Sequence, residues 1–204
     1  MAYYERNLPH WHPDGAALFL TWCLQGSVDR HRARKKAGDP GEAFAELDRV
    51  LDKGSYGPTW LRDCRIARCV QEALLFGERQ LEFYSLIAWV IMPNHVHVAL
   101  LPKASVARIT KSIKGFTARQ ANALLGRTGE CFWQDEVFDH WARNDRELQQ
   151  IIAYIERNPL RAGLAATIED WPWSSAARAT QARMPVPLGA GGTTFPEQIQ
   201  RLLP

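Results

Sequence analysis

Ile91-Met92-Pro93-Asn94-His95-Val96-His97-Val98-Ala99-Leu100 sets two histidines one residue apart inside an apolar run of strand character. Successive strand side chains point to opposite faces. His95 and His97 therefore share one face, about 7 Å apart along the strand, while Val96 and Val98 turn the other way into a core. That spacing suits the gripping of one ion. It is equally met by two histidines on a solvated strand face, and only partners elsewhere in the chain can decide between the two.

Immediately upstream, Leu81 to Ile91 reads as a second strand, turned by Met92-Pro93-Asn94 into the histidine strand, which Pro102 and Lys103 close. Between Asp63 and Gly77, Ile66, Val70, Leu74 and Leu75 recur at helical spacing with Arg65, Arg68 and Glu72 outside the stripe, as in a helix packed on a sheet. Ala16 to Leu24 is a dense apolar run that suits a buried first strand. The segment from Asp29 to Lys36 carries five Lys or Arg and leads into Gly38-Asp39-Pro40-Gly41. It reads as an exposed, solvated loop in preference to a phosphate contact. Asn7 to Pro13 is a proline-bounded entry. His10 and His12 repeat the His-apolar-His pattern there, but the flanking prolines disfavour a regular strand, and packing is the better reading.

Downstream, Val106 to Leu125 forms a helix with Val106, Ile109, Ile113 and Phe116 on one face and Arg108, Lys111 and Arg119 on the other, ended by Gly126. Cys131 to Trp141 is an aromatic loop running into a fourth strand that includes His140. Asp145 then caps a helix that Pro159 is expected to end at Asn158. The order βαββαβ followed by a helix predicts an α+β fold: a ferredoxin-like core, a four-stranded antiparallel sheet backed by helices, and an extra C-terminal helix bearing a tyrosine. We expect a single domain over 1–178, including a docked aromatic segment at Trp171-Pro172-Trp173-Ser174-Ser175, and a flexible Gly/Pro-rich tail over 179–204.

The 204 residues are 46% hydrophobic and 23% charged, an ordinary globular balance, and no apolar stretch approaches the roughly 20 residues of a membrane helix. No apolar signal segment opens the chain, and its four cysteines show no CxxC pairing. This argues against a zinc knuckle or a secreted disulfide framework and for the cytoplasm. A net charge of +3 is too small to announce a nucleic-acid partner by itself. The cationic face of the 106–125 helix, Arg108, Lys111 and Arg119 with Lys114 nearby, is spaced for backbone phosphates but also suits a solvated surface. Phe132 and Trp133 are candidates for stacking an unpaired base or for the core. On the 145–158 helix, Leu148, Ile151, Ile152 and Ile155 form the core stripe. Tyr154 and Asn158 sit one turn apart on its flank, at a rim.

His95-Val96-His97 after Met92-Pro93-Asn94, then Phe132-Trp133-Gln134, then Tyr154-Ile155-Glu156-Arg157-Asn158-Pro159-Leu160-Arg161-Ala162-Gly163-Leu164, and finally Trp171-Pro172-Trp173-Ser174-Ser175 resemble, in this order, the HUH-type single-tyrosine transposases, and most closely their REP-associated branch. The resemblance covers about Ala17 to Ser175. It implies a ferredoxin-like nuclease fold, a divalent metal (Mg²⁺ or Mn²⁺, with zinc open), and cleavage and rejoining of single-stranded or hairpin DNA through a phosphotyrosine. Tyr154 is then the nucleophile, His95 and His97 are metal ligands, and Asn158 is the third ligand. Gln150 and Glu147, one and two turns before Tyr154, are alternatives to Asn158, whereas Glu156 points away. DNA contact falls to Arg108, Lys111, Lys114, Arg119 and Trp133. The family includes homodimers that exchange helices and single-chain forms. Two other classes stay open: a non-catalytic hairpin-DNA-binding protein, and a metal-dependent hydrolase that uses water.

Overall fold

The computed structural model describes residues 2–5, 9–13, 15–28, 48–52, 54 and 56–177. The basic segment 29–36, the 38–41 loop and the tail from 179 onward lie outside them. The elements are β1 (Ala2–Glu5), β2 (Pro9–His12), β3 (Leu18–Cys23), α1 (Cys64–Arg79), β4 (Tyr84–Ile91), β5 (His95–Pro102), α2 (Val106–Leu125), β6 (Phe138–Trp141) and α3 (Asp145–Arg161). Residues 48–52 are also helical, and Trp60–Arg62 forms a 3-10 turn.

Strands β3 to β6 build one antiparallel sheet in the order β4-β5-β3-β6, with Thr21 opposite His97 and Cys23 opposite His95. Together with α1 and α2 this is the expected ferredoxin-like arrangement, with α3 added. Alternation along the strands sorts the two faces. Leu20 and Trp22 of β3 and Val96 and Val98 of β5 pack with Ile66, Val70 and Leu74 of α1 and Ile109 and Ile113 of α2. On the opposite face, Phe19, Ala88, Val90 and Ala99 pack against Ile155, with Ile151, Ile152 and Tyr154 at the margin, all from α3. The sheet thus separates α1 and α2 from the tyrosine helix.

Each helix end follows its local chemistry. Asp63 accepts from the Arg65 amide at the start of α1, and Ser105 does the same for Arg108 at the start of α2. Gly126 takes the left-handed conformation after α2, at φ +67°. Helix α3 departs from expectation at both ends. Its cap is Asn144, whose side chain accepts from the Glu147 amide, and it runs through Pro159 to Arg161. Proline removes one intrahelical bond but carries a helix-compatible φ. So near the end, with Ala162 N–H bonding the Asn158 carbonyl at 3.0 Å and Leu164 N–H the Pro159 carbonyl at 2.8 Å, the helix absorbs that loss.

Two further contacts complete the frame. The Trp171–Ser175 segment docks on the free edge of β4: Ile91 N–H donates to the Trp173 carbonyl at 2.8 Å and the Trp171 indole to the Ile91 carbonyl at 3.0 Å, so the edge is covered. At the N-terminus, β2 pairs with β1, Tyr3 opposite Trp11, which corrects the reading of 9–13 as non-strand. Pro9 is the first residue of β2 and Pro13 follows its last, positions where a missing N–H breaks no ladder. The side chains of His10 and His12 lie outside the described residues.

Candidate active site

The histidine pair is buried, and its orientation is set by neighbours from two other elements. Both rings are fully inaccessible, with Nε2 of His95 and Nε2 of His97 facing each other at 3.0 Å. Asn94 donates its amide N–H to the Leu51 carbonyl at 3.0 Å, which leaves Oδ1, an acceptor only, 2.7 Å from Nδ1 of His95. Nδ1 of His95 therefore carries the proton and Nε2 presents its lone pair. Thr21, opposite His97 in the ladder, places Oγ1 2.7 Å from Nδ1 of His97. Two imidazole lone pairs at 3.0 Å repel unless a proton or a cation lies between them. Burial, with His97 alongside, holds His95 well below the ordinary imidazole range, which favours the neutral, ligating form.

A carboxylate from residues 48–52 completes this grouping. Asp48 is buried, with Oδ1 3.1 Å from Nε2 of His97 and Oδ2 accepting the Tyr154 hydroxyl. Ligand atoms of Asp48, His95 and His97 all lie within 4.8 Å of one another, so the three can hold a metal. Two imidazole nitrogens and one carboxylate oxygen are a donor set suited to a divalent transition ion, and Oδ1 of Asp48 has no hydrogen-bond partner among the described residues. Burial alone would push Asp48 up, but the neighbouring His97 imidazole and the hydrogen bond from Tyr154 outweigh this and hold it below the usual carboxylate value. Asp52, one helical turn on, has Oδ1 3.9 Å from Nε2 of His95. Burial, and then the charge of Asp48, lift it to about 7 against the pull of Arg161.

Helix α3 delivers the tyrosine to this point. The Tyr154 ring lies 5.7 Å from the His97 ring and 5.9 Å from Phe19, both edge-on. Burial, and then Asp48, raise its phenol above the ordinary value. Arg161 lies over the same ring, its guanidinium carbon 4.8 Å from the Tyr154 ring centroid. Asn158 is wholly buried, which corrects its expected place at a rim, and neither atom of its amide has a hydrogen-bond partner among the described residues. Of the alternatives to Asn158, Glu147 is committed to Nε2 of His140 at 2.8 Å and to the Arg143 amide, and Gln150 is exposed.

The residues expected to meet DNA lie in the other layer. Arg108, Lys111 and Arg119 are exposed on α2, across the sheet from Tyr154 and the histidines. Arg108 rests over Phe83 at 4.5 Å, and the Lys114 ammonium donates to the carbonyls of Gln134 and Asp135. Trp133 is a core residue: it is 6% exposed, meets Trp22 edge-on and donates its indole N–H to Thr117 at 2.9 Å. The structure thus joins Tyr154, His95 and His97, and it adds Asp48, Asp52, Thr21 and Arg161, none of which was assigned a role from the sequence. The spacing Asp48-x-x-x-Asp52, two acids on one helical face, was the available signal.

Residues 72–158 match the family model described as "Transposase IS200 like". A Haemophilus influenzae protein named REP-associated tyrosine transposase is 30% identical over 112 residues, 50% of this chain and 64% of that protein. The REP-associated tyrosine transposase of Escherichia coli K12 is 27% identical over 97 residues, 45% of this chain and 54% of that protein. The chain thus spans less than two thirds of these relatives. A solved REP-associated tyrosine transposase, bound to a REP hairpin, superposes with a TM-score of 0.54 at 20% identity, covering 96% of this chain and 95% of that one, and so shares the fold. Among the described residues no helix is long and apolar enough to cross a membrane. Motifs, fold and relatives agree: this chain is similar to the IS200-like single-tyrosine transposases, and to their REP-associated members in particular.

Proposed function

We propose that the chain is a metal-dependent endonuclease and strand transferase that cleaves and rejoins single-stranded or hairpin DNA, with Tyr154 as nucleophile. One observation carries this reading: a single buried carboxylate, Asp48, contacts both the Tyr154 hydroxyl and Nε2 of His97. His95, His97 and Asp48 would hold the cation. Asn158, one turn after Tyr154 with an unbonded buried amide, is proposed as a further ligand. When bound, a divalent cation draws charge off a phosphodiester by polarising a non-bridging oxygen. The other steps belong to the chain. Tyr154 Oη attacks phosphorus while its proton passes to the Asp48 carboxylate. The bond from phosphorus to one sugar oxygen breaks, and that oxygen takes a proton from water. A phosphotyrosine and a sugar hydroxyl result, and the reverse attack by another strand's hydroxyl restores a phosphodiester without new energy input.

The solved relative's hairpin is the reason for proposing hairpin DNA as substrate. The exposed α2 cations are proposed as backbone contacts, for a strand that passes around the sheet edge. The test is incubation of end-labelled hairpins carrying single-stranded flanks with Mn²⁺, followed by denaturing electrophoresis. A covalent adduct that vanishes in Tyr154→Phe is expected. Cleavage that persists in Tyr154→Phe would instead identify a water-using hydrolase, and tight binding without cleavage a non-catalytic binder.

A further inference from the structure

Arg161 is the last residue of α3, seven positions after Tyr154, so two helical turns bring the two side chains onto one face. Its guanidinium lies over the tyrosine ring, and Nη2 stands 3.8 Å from Oδ2 of Asp48 and 3.7 Å from Oδ2 of Asp52. Both separations exceed a hydrogen bond, so neither carboxylate takes up an N–H donor of the fork; one donor meets the Tyr154 hydroxyl, and the fork has others to offer. Exposure distinguishes Arg161 from everything behind it. Its side chain is 48% exposed, whereas Asp48 is 2% and the two histidines 0% exposed. It is the rim of a site whose interior is closed. Charge points the same way: with both carboxylates ionised, Asp48, Asp52 and Arg161 sum to −1. A divalent cation changes this to +1, which one phosphodiester neutralises.

We propose that Arg161 is a catalytic residue of strand cleavage: its guanidinium binds a non-bridging oxygen of the scissile phosphate and stays on the phosphotyrosine that forms. This rests on the reading of Tyr154 as nucleophile. The planar fork matches two phosphate oxygens as no ammonium does, and its seat over the ring keeps it beside Oη as the new bond forms. A purely structural Arg161 would only balance the two aspartates.

The test uses the full chain, Mn²⁺ and a hairpin oligonucleotide whose cleavage position has been mapped with the unsubstituted protein. Arg161→Ala is expected to slow adduct formation about 100-fold, mostly in kcat, and Arg161→Lys to recover only part of this. On the same strand with a neutral methylphosphonate at the scissile position, the unsubstituted protein and Arg161→Ala should agree within about threefold, because the charge that Arg161 meets has gone. Mn²⁺ affinity by calorimetry should be unchanged. An equal deficit on both substrates, full activity on the phosphodiester, or a metal affinity weakened with the rate overturns the proposal. If Arg161→Ala does not fold, Arg161→Lys decides by the same comparison, since lysine keeps the charge and lacks the fork. Adduct formation by the unsubstituted protein separates the two ideas. Its absence defeats the nucleophile reading and this proposal with it, whereas its presence with an indifferent Arg161 defeats this proposal alone.

Discussion

The carboxylate of Asp48 lies 3.1 Å from Nε2 of His97, and both groups are buried. A buried acid beside a buried imidazole nitrogen can serve as a metal ligand, and the pairing sets a direct test. Asp48→Asn keeps the shape and removes the charge, so Mn²⁺ affinity measured by calorimetry should fall at least about tenfold. Unchanged affinity would mean that the histidines find their remaining ligands on α3 alone.

Thr21 holds the other ring nitrogen of His97. Thr21→Val removes the hydroxyl 2.7 Å from Nδ1 at nearly constant volume and leaves that nitrogen buried without a partner. The loss should be about 1–3 kcal/mol in urea unfolding, together with about tenfold in Mn²⁺ affinity. A loss of stability with full metal affinity would make Thr21 a packing residue.

Asp52 predicts a pH dependence of the metal-free protein. Its folded value is about 7, against about 3.9 unfolded. Between these values the folded state keeps a proton that the unfolded chain has released, so stability falls as pH rises from about 4 to about 7. Asp52→Asn should therefore stabilise the metal-free protein at pH 8, by up to about 4 kcal/mol, and leave it nearly unchanged at pH 4. Equal unfolding free energies at both pH values would count against this placement of the charge.

The α2 cations should behave as phosphate contacts. Single changes Arg108→Ala, Lys111→Ala and Arg119→Ala are expected to weaken hairpin binding about equally for different sequences and to reduce the slope of log affinity against log salt by about 1 each. The rate of adduct formation at saturating DNA should not change. Lys114→Ala should differ by also lowering the melting temperature, because it releases the carbonyls of Gln134 and Asp135. An unaltered salt slope in all three would make that face ordinary solvated surface.

Gly77 is a stability test remote from the site. A Cβ there would land inside the hydroxyl of Tyr84, which is fully buried and donates to the Leu74 carbonyl at 2.8 Å. Gly77→Ala should cost about 2–3 kcal/mol in spite of alanine's better helix propensity. Gly77→Ala with Tyr84→Phe should recover part of it, and a neutral single variant would refute the close approach.

Local periodicity accounts for what was legible in the chain. Alternation of two residues puts His95 and His97 on one face whatever else surrounds them, and the 3.6-residue stripe of Val106, Ile109, Ile113 and Phe116 settles α2 with its Gly126 stop. The order of these elements was enough for the ferredoxin-like core. Tyr154 and the histidines could be associated only through their resemblance to a family, because nothing local joins a helix at 154 to a strand at 97.

Tertiary structure decided the rest. The placement of α3 on the face opposite α1 and α2 sets Tyr154 beside His97 and Arg161 over its ring, while it moves the α2 cations across the sheet and Trp133 into the core. It also buries Asn158. Asp48 and Asp52 carry no signal beyond their four-residue spacing, and they become partners of the histidine pair only because 48–52 packs against Asn94, whose amide holds the Leu51 carbonyl. The physical reason is range: strand and helix patterns are written in neighbours, whereas a carboxylate's proximity to an imidazole depends on strand order and layer packing, which only the closed chain specifies.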